Sequence, residues 1–332
     1  MCDKPKCVFI TYRIPEESVE PLLQAGCKVV WPKGRKATYE ELEQNLPCCD
    51  AVLSVFGNPF PDELIEKASR LKILSNYGAG VDNINLALAT EKGIVVTNTP
   101  DQVTEPTAEL AMTLMLSLAR RVTEMDRKLR QDKRQVRWGV MENLGFTLEN
   151  KTIGIIGMGR IGKATARRAR AFRMKIVYYN RHRLPKDEEK KLEIRYVPLD
   201  TLLRIADVVS LHTPLTKETR HLIGEKELEL MKPSAILVNT ARGPVVNEQA
   251  LIRALQEKKI AGAALDVFEK EPEIPDAFLQ MDHVVAVPHI GTAAWETRVE
   301  IGRQAARNIL DFFSGKTLKY CVNKEVLDSN PG

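Results

Sequence analysis

The chain has 332 residues, 44% of them apolar and 28% charged. At roughly 150 residues per domain this makes two globular domains and excludes disordered, collagenous and disulfide-scaffold classes. Lysine and arginine number 49 against 44 aspartates and glutamates, a net charge of +5 too mild to demand nucleic acid. No run approaches the ~18 apolar residues of a membrane span, so neither a nucleic-acid nor a membrane partner is expected. The opening stretch to Ile10 reads as a first strand rather than a signal peptide. The six cysteines, Cys2, Cys7, Cys27, Cys48, Cys49 and Cys321, show no metal-ligand spacing, so reduced structural thiols and a cytoplasmic location are expected.

In chain order, strands are expected at Lys6 to Thr11, Lys28 to Trp31, Ala51 to Val55, Lys72 to Ser75 and Val95 to Thr97. Helices are expected at Glu16 to Ala25, Pro61 to Ser69 and Leu86 to Lys92. Strands alternating with helix-length segments imply a parallel sheet with crossover helices. Glu105 to Arg121 carries apolar residues at helical spacing and is expected as a long helix buried between domains. Arg120 to Arg137, with eight basic and three acidic residues, reads as a solvated helix end and loop. A second alternation follows, with strands at Thr152 to Ile156, Lys175 to Tyr179, Val208 to Leu211, Ala235 to Asn239, Gly262 to Asp266 and Val284 to Val287. Helices are expected at Ile161 to Phe172 and at Thr292 to Ser314. The expected division is a first domain of residues 1–101 completed by 292–332, and a second of 102–291.

Gly157-x-Gly159-x-x-Gly162 lies between an apolar strand and a helix with Ile161, Thr165, Ala169 and Phe172 on one face. Glycines in this context allow a tight turn, close approach of a pyrophosphate, and close helix–strand packing, with the helix N-terminus facing the anion. A dinucleotide site is therefore expected. About 20 residues on, where NAD-binding chains usually carry an acid, this one reads Asn180-Arg181-His182-Arg183. An acid would repel a 2′-phosphate, whereas these bases attract one, so NADP(H) is favoured and NAD(H) stays open. Arg181 stacking on adenine is the alternative.

Three chemically capable residues, Arg242, Glu271 and His289, each follow an apolar strand of the second alternation. The carboxyl ends of parallel strands are where such sheets bind ligands. An arginine there can pair with a carboxylate and polarise a neighbouring keto oxygen. A histidine can deliver that oxygen's proton as hydride arrives, and a glutamate can orient the imidazole and favour its charged form. Hydride transfer to a carbonyl follows as the expected chemistry.

From about Ala51 to Phe313 the chain resembles the D-isomer-specific 2-hydroxyacid dehydrogenases, of the glyoxylate/hydroxypyruvate reductase type. The resemblance rests on Gly157-Met158-Gly159-Arg160-Ile161-Gly162, Asp207 to Pro214, Leu237 to Gly243, Leu265 to Pro272 and Pro288-His289-Ile290-Gly291, in that order. It implies two Rossmann-like doubly wound parallel-sheet α/β domains with the active site in the cleft between them, and a homodimer. By motif, Arg242 would bind substrate, His289 would donate the proton and Glu271 would partner it. Asp266 would meet the nicotinamide carboxamide, and the amides of Arg160 and Ile161 would hold the pyrophosphate. Thr213, Pro214, Thr240, Ala241 and Gly291 would line the cofactor cleft. Tyr77 to Asp82 resembles the glycine loop whose amides, at Gly78, Ala79 and Gly80, hold the substrate carboxylate, with Val55, Phe56 and Gly57 as the facing wall. The helix near Thr107 to Arg121 resembles the interdomain helix of the family.

Two departures stand out: Arg137-Trp138-Gly139 replaces a Gly-x-Trp, which bears on whether Trp138 reaches a neighbouring subunit, and Thr292 to Glu296 replaces a small polar run, which bears on substrate size. Reduction of small 2-keto acids to D-2-hydroxy acids is the leading expectation. A phosphite or formate dehydrogenase of the same architecture, and a dinucleotide-sensing corepressor-like binding protein, are the competing readings.

Overall fold

The computed structural model describes residues 4–55 and 60–328. The described residues of 1–103 and 292–332 group as one compact unit and those of 104–291 as another.

In the first unit the chain runs β1 (Cys7–Ile10), α1 (Glu20–Gln24), β2 (Lys28–Val30), α2 (Tyr39–Asn45), β3 (Ala51–Val55), α3 (Asp62–Lys67), β4 (Ile73–Tyr77), α4 (Leu86–Glu91) and β5 (Val95–Thr97). The expected helix Glu16 to Ala25 is split: Glu16–Ser18 forms a 3-10 turn before α1. Helix α2 was not foreseen, although Thr38 and Glu41 close a capping box at its start. The strands pair in parallel in the order β2-β1-β3-β4-β5.

The second unit opens with α5 (Thr104–Ala119) and α6 (Val122–Asp132). The basic stretch expected as a helix end and loop thus holds a helix of its own. Glu124, buried on it, accepts hydrogen bonds from Arg121 and from Lys128 at 2.6–2.7 Å, so ion pairs replace the missing apolar stripe. Next come β6 (Thr152–Ile156), α7 (Arg160–Ala171), β7 (Lys175–Tyr179), α8 (Lys186–Leu192), β8 (Arg195–Tyr196), α9 (Leu199–Ile205) and β9 (Val208–Leu211). The unit ends with α10 (Glu225–Leu230), β10 (Ile236–Asn239), α11 (Glu248–Gln256), β11 (Gly262–Leu265), α12 (Asp276–Leu279) and β12 (Val284–Ala286). All seven strands are parallel, ordered β12-β11-β10-β9-β6-β7-β8. The order reverses direction between β6 and β9, and in open α/β sheets ligands bind at the carboxyl ends beside such a reversal.

Both faces of this sheet are covered, which is why its strands read as unbroken apolar runs. Ile153, Ile155 and Val238 pack on one side with Met115 of α5, while Ile156, Leu211 and Leu237 pack on the other with Leu202 and Leu251. The chain then returns to the first unit as α13 (Trp295–Phe313) and α14 (Glu325–Asp328). Ile301, Ala305 and Ile309 of α13 pack against Val8, Leu53 and Ile73.

Candidate active site

At the end of β6 the backbone must turn sharply, and Gly157 does so at φ +98° with the His212 carbonyl group 2.6 Å from where a Cβ would stand. A Cβ on Gly162 would lie 2.2 Å from the Gly157 oxygen, so no other residue lets α7 start this close to the turn. Gly159, the N-cap, has open space on its Cβ side, and no side chain caps α7. The first turn of α7, at Arg160 and Ile161, thus turns the positive end of its dipole toward an anion.

The neighbouring strand ends supply the flanks. Asn180, after β7, accepts a hydrogen bond from the Met158 amide at 2.6 Å and so braces the glycine turn. Arg183 is committed elsewhere: its guanidinium forks onto both oxygens of Glu189 at 2.7–2.8 Å and lies over the Tyr196 ring. Arg181 and His182 are exposed. After β9, Ser210 Oγ and His212 Nε2 lie 2.9 Å apart, and burial pulls the His212 imidazole down to about 4, keeping it neutral. Thr213 and Thr240, after β9 and β10, each carry a buried hydroxyl without a partner among the described residues. Buried hydroxyls are rarely left so unless something else bonds them. With the uncapped helix and the open side of Gly159, these two orphans suit a dinucleotide with its pyrophosphate on α7.

Arg242, Glu271 and His289 follow β10, β11 and β12, three adjacent strands. Asn239 fixes the turn bearing Arg242, accepting from the Ala241 amide and donating to the Arg242 carbonyl, both at 3.0 Å. Sequence reasoning passed over Asn239, whose position at a strand end beside Arg242 was the available signal. His289 Nδ1 lies 2.7 Å from Glu271 Oε2, and the Phe268 amide donates to Glu271 Oε1 at 3.1 Å. Burial alone would raise the Glu271 carboxyl, but the hydrogen bond and charge of His289, the Phe268 amide and the charge of Arg242 bring it below the ordinary range. Asp266, almost fully buried, accepts from the amides of Ile290 at 2.6 Å and Gly291 at 3.0 Å. Burial, only partly offset by those bonds and by His289, lifts its carboxyl to about 6.

In the first unit, Gly78 follows β4 at φ +140°, its amide donating to Thr99 Oγ1 at 2.9 Å. Asn76 and Asn98 hold the carbonyls of Gly80 and Ala79 at 2.7 and 2.8 Å. This loop is therefore anchored through its carbonyls. Val55 is buried at the end of β3; Phe56 and Gly57 lie outside the described residues. Pro214 is exposed, and Ala241 and Gly291 are buried.

The family described as D-isomer specific 2-hydroxyacid dehydrogenase, NAD binding domain, matches residues 112–291. The glyoxylate reductase of Thermococcus litoralis is 45% identical over 99% of both chains. A glyoxylate reductase structure from Paecilomyes thermophila superposes with a TM-score of 0.87 at 33% identity, covering 97% of this chain and all of that one (100%). An NADPH-dependent glyoxylate/hydroxypyruvate reductase of Sinorhizobium meliloti, solved with NADP and malonate, gives 0.86 at 30% identity over 97% and 98%. Matched from end to end at this identity, with a nicotinamide-dinucleotide-binding unit, the chain belongs to the D-isomer-specific 2-hydroxyacid dehydrogenase family of NAD(P)-dependent oxidoreductases.

Proposed function

We propose that the protein reduces small 2-keto acids, glyoxylate or hydroxypyruvate foremost, to D-2-hydroxy acids, with NADPH preferred to NADH. The observation that carries this reading is the 2.7 Å contact between His289 Nδ1 and Glu271 Oε2, which follow β12 and β11, next in line to the β10 that delivers Arg242. An ionised carboxylate only accepts, so Nδ1 carries its proton, and in the imidazolium the Nε2 proton is the one proposed to reach the substrate.

A reduced nicotinamide, when bound, supplies the hydride. The amides at the start of α7, with the Thr213 and Thr240 hydroxyls, would hold the dinucleotide, and Asp266 would face its carboxamide. Arg242 forks onto the substrate carboxylate and draws electron density from the adjoining keto oxygen. His289 Nε2 delivers its proton to that oxygen as the carbonyl carbon gains hydride, so the carbonyl becomes a hydroxyl and the imidazole is left neutral. Glu271 steadies the imidazolium beforehand and holds the ring at one angle. The amides of Ala79 and Gly80 would hold the same carboxylate, while that of Gly78 is bonded to Thr99 Oγ1.

The preference for NADPH is supported by the bases Arg181 and His182 and by the lack of an acid after β7. A homodimer is part of the proposal, supported by four exposed apolar residues within one short stretch, Trp138 (96% exposed), Val140 (93%), Met141 (78%) and Leu144 (56%). The proposed location is the cytoplasm. Among the described residues, no helix is long and apolar enough to cross a membrane. A panel of 2-keto acids assayed with NADPH and with NADH by nicotinamide absorbance, with chiral analysis of the glycerate formed from hydroxypyruvate (glycolate from glyoxylate has no stereocentre), tests the reading. It fails if none of the keto acids is consumed or if the product is the L-isomer.

A further inference from the structure

Behind Arg242 and Glu271 lies a second histidine–carboxylate pair. His221 Nε2 is 3.0 Å from Glu269 Oε1, and the same oxygen accepts from the Glu248 amide at 3.1 Å. The Glu269 amide returns a bond of 2.6 Å to Glu248 Oε1. His221 also donates its backbone N–H to the Pro244 carbonyl at 2.7 Å, and Ile223 its own to Val245 at 3.1 Å. These bonds close a ring through three segments: the one after β9, the 242–248 turn that bears Arg242, and the 268–271 loop that bears Glu271. The turn and the loop also touch directly, since a Cβ on Gly243 would stand 1.9 Å from the Phe268 carbonyl carbon.

We infer that His221, with Glu269 and Glu248, is a positioning residue that fixes the substrate-binding Arg242 and the orienting Glu271 relative to each other; this rests on the reaction proposed above. The chemistry favours a donor at this place. Glu248 and Glu269 repel each other, and burial with that repulsion pushes the Glu248 carboxyl up despite the Glu269 amide and Lys270. The ring N–H of His221 offsets part of this by bonding Glu269, and it ties the third segment in. Glu269 is two residues from Glu271, and Pro244 two residues from Arg242, so slack in the ring passes to both side chains within one or two peptide units. A misplacement of about 1 Å in a reacting constellation can cost ~10²-fold, and partial slack is expected to cost about tenfold on that scale.

The test uses the full-length enzyme, with glyoxylate and hydroxypyruvate as the keto acids. His221→Ala is expected to raise KM for the keto acid about tenfold and to lower kcat about threefold, a fraction of the ~10²-fold scale. KM for NADPH and the melting temperature should change little. His221→Gln, whose amide N–H reaches where Nε2 does, is expected to restore most of the loss. Wild-type turnover of 2-keto acids reports on the proposed reaction separately. If wild type reduces none, that reaction and this inference both fail. If wild type is active, an unchanged keto-acid KM in His221→Ala overturns the positioning role. So does an equal rise in KM for the keto acid and for NADPH, or equal damage by Ala and Gln. Glu269→Ala against Glu269→Gln repeats the comparison from the accepting side, with the same pattern expected.

Discussion

The proposed preference for NADPH turns chiefly on Arg181. Of the bases after β7, Arg183 is spent on Glu189, with bonds of 2.7 and 2.8 Å, and its partner is pulled down to about 2 by that fork and the Tyr178 hydroxyl. Arg181 is exposed, and its charge reaches Glu218. A hydrogen bond from a cation to a phosphate contributes about 1.5–3 kcal/mol, or roughly ten- to 150-fold in affinity. Solvent exposure and a Debye length near 8 Å at physiological salt place the expected effect at the lower end, about tenfold. Arg181→Ala should therefore raise KM for NADPH about tenfold, leave KM for NADH within about twofold, and lose its effect as salt rises. Asn180→Asp keeps the acceptor that braces the Met158 amide, so the turn survives while the added charge repels the 2′-phosphate and engages ribose hydroxyls; preference should move toward NADH. Arg183→Ala, by contrast, should loosen α8 and leave cofactor choice alone. Steady-state kinetics with both cofactors at two salt concentrations decide it. A wild type that favours NADH, with Arg181→Ala harming both cofactors equally, would make Arg181 an adenine-stacking residue and refute the argument.

Much of the fold was legible because the sheets are covered on both faces. Five strands, Ala51–Val55, Val95–Thr97, Thr152–Ile156, Lys175–Tyr179 and Val208–Leu211, begin and end where their apolar runs do. The short helices were harder. Helices α8 to α11 were not foreseen; α8 to α10 bury one or two residues each, α8 only Glu189, whereas α11 buries five of its nine and its apolar spacing was overlooked. Helix α6 escaped because charge pairs on Glu124, which leave no apolar periodicity, hold it. At the candidate site, the glycine turn and the three strand-end residues could be read from local context alone. Partnerships across long sequence separations could not: Asn239 was passed over, and His221 meets Glu269 from 48 residues away. Arg183 carried the same letter as Arg181, and only a fold that brings Glu189 back against it separates the two.

Arg242→Lys should lower kcat/KM by at least about tenfold, because a point charge cannot reproduce a planar fork on carboxylate and carbonyl; a smaller loss would count against that role. His289→Ala should lower kcat by about 10²–10⁴-fold while dinucleotide binding, followed by fluorescence titration, stays near wild type. Glu271→Gln loses the carboxylate that holds the imidazole at 2.7 Å, so kcat should fall while dinucleotide binding stays near wild type; an unchanged kcat would separate the two residues. Asp266 gives a stability prediction whose sign can be worked through. Burial raises its carboxyl from 3.8 to about 6, so the folded protein holds that proton more tightly than the unfolded chain does. Its contribution is full below about pH 3.8 and is lost as pH rises through about 6. Asp266→Asn cannot follow this change, and it offers one oxygen where Ile290 and Gly291 now find two, which costs about 1–3 kcal/mol for the orphaned buried amide. The variant should therefore melt below wild type, with the gap widest near pH 4, narrowing as pH rises from about 4 to 6 and level above that. Melting curves that run parallel across that range would show that burial does not hold the proton on Asp266.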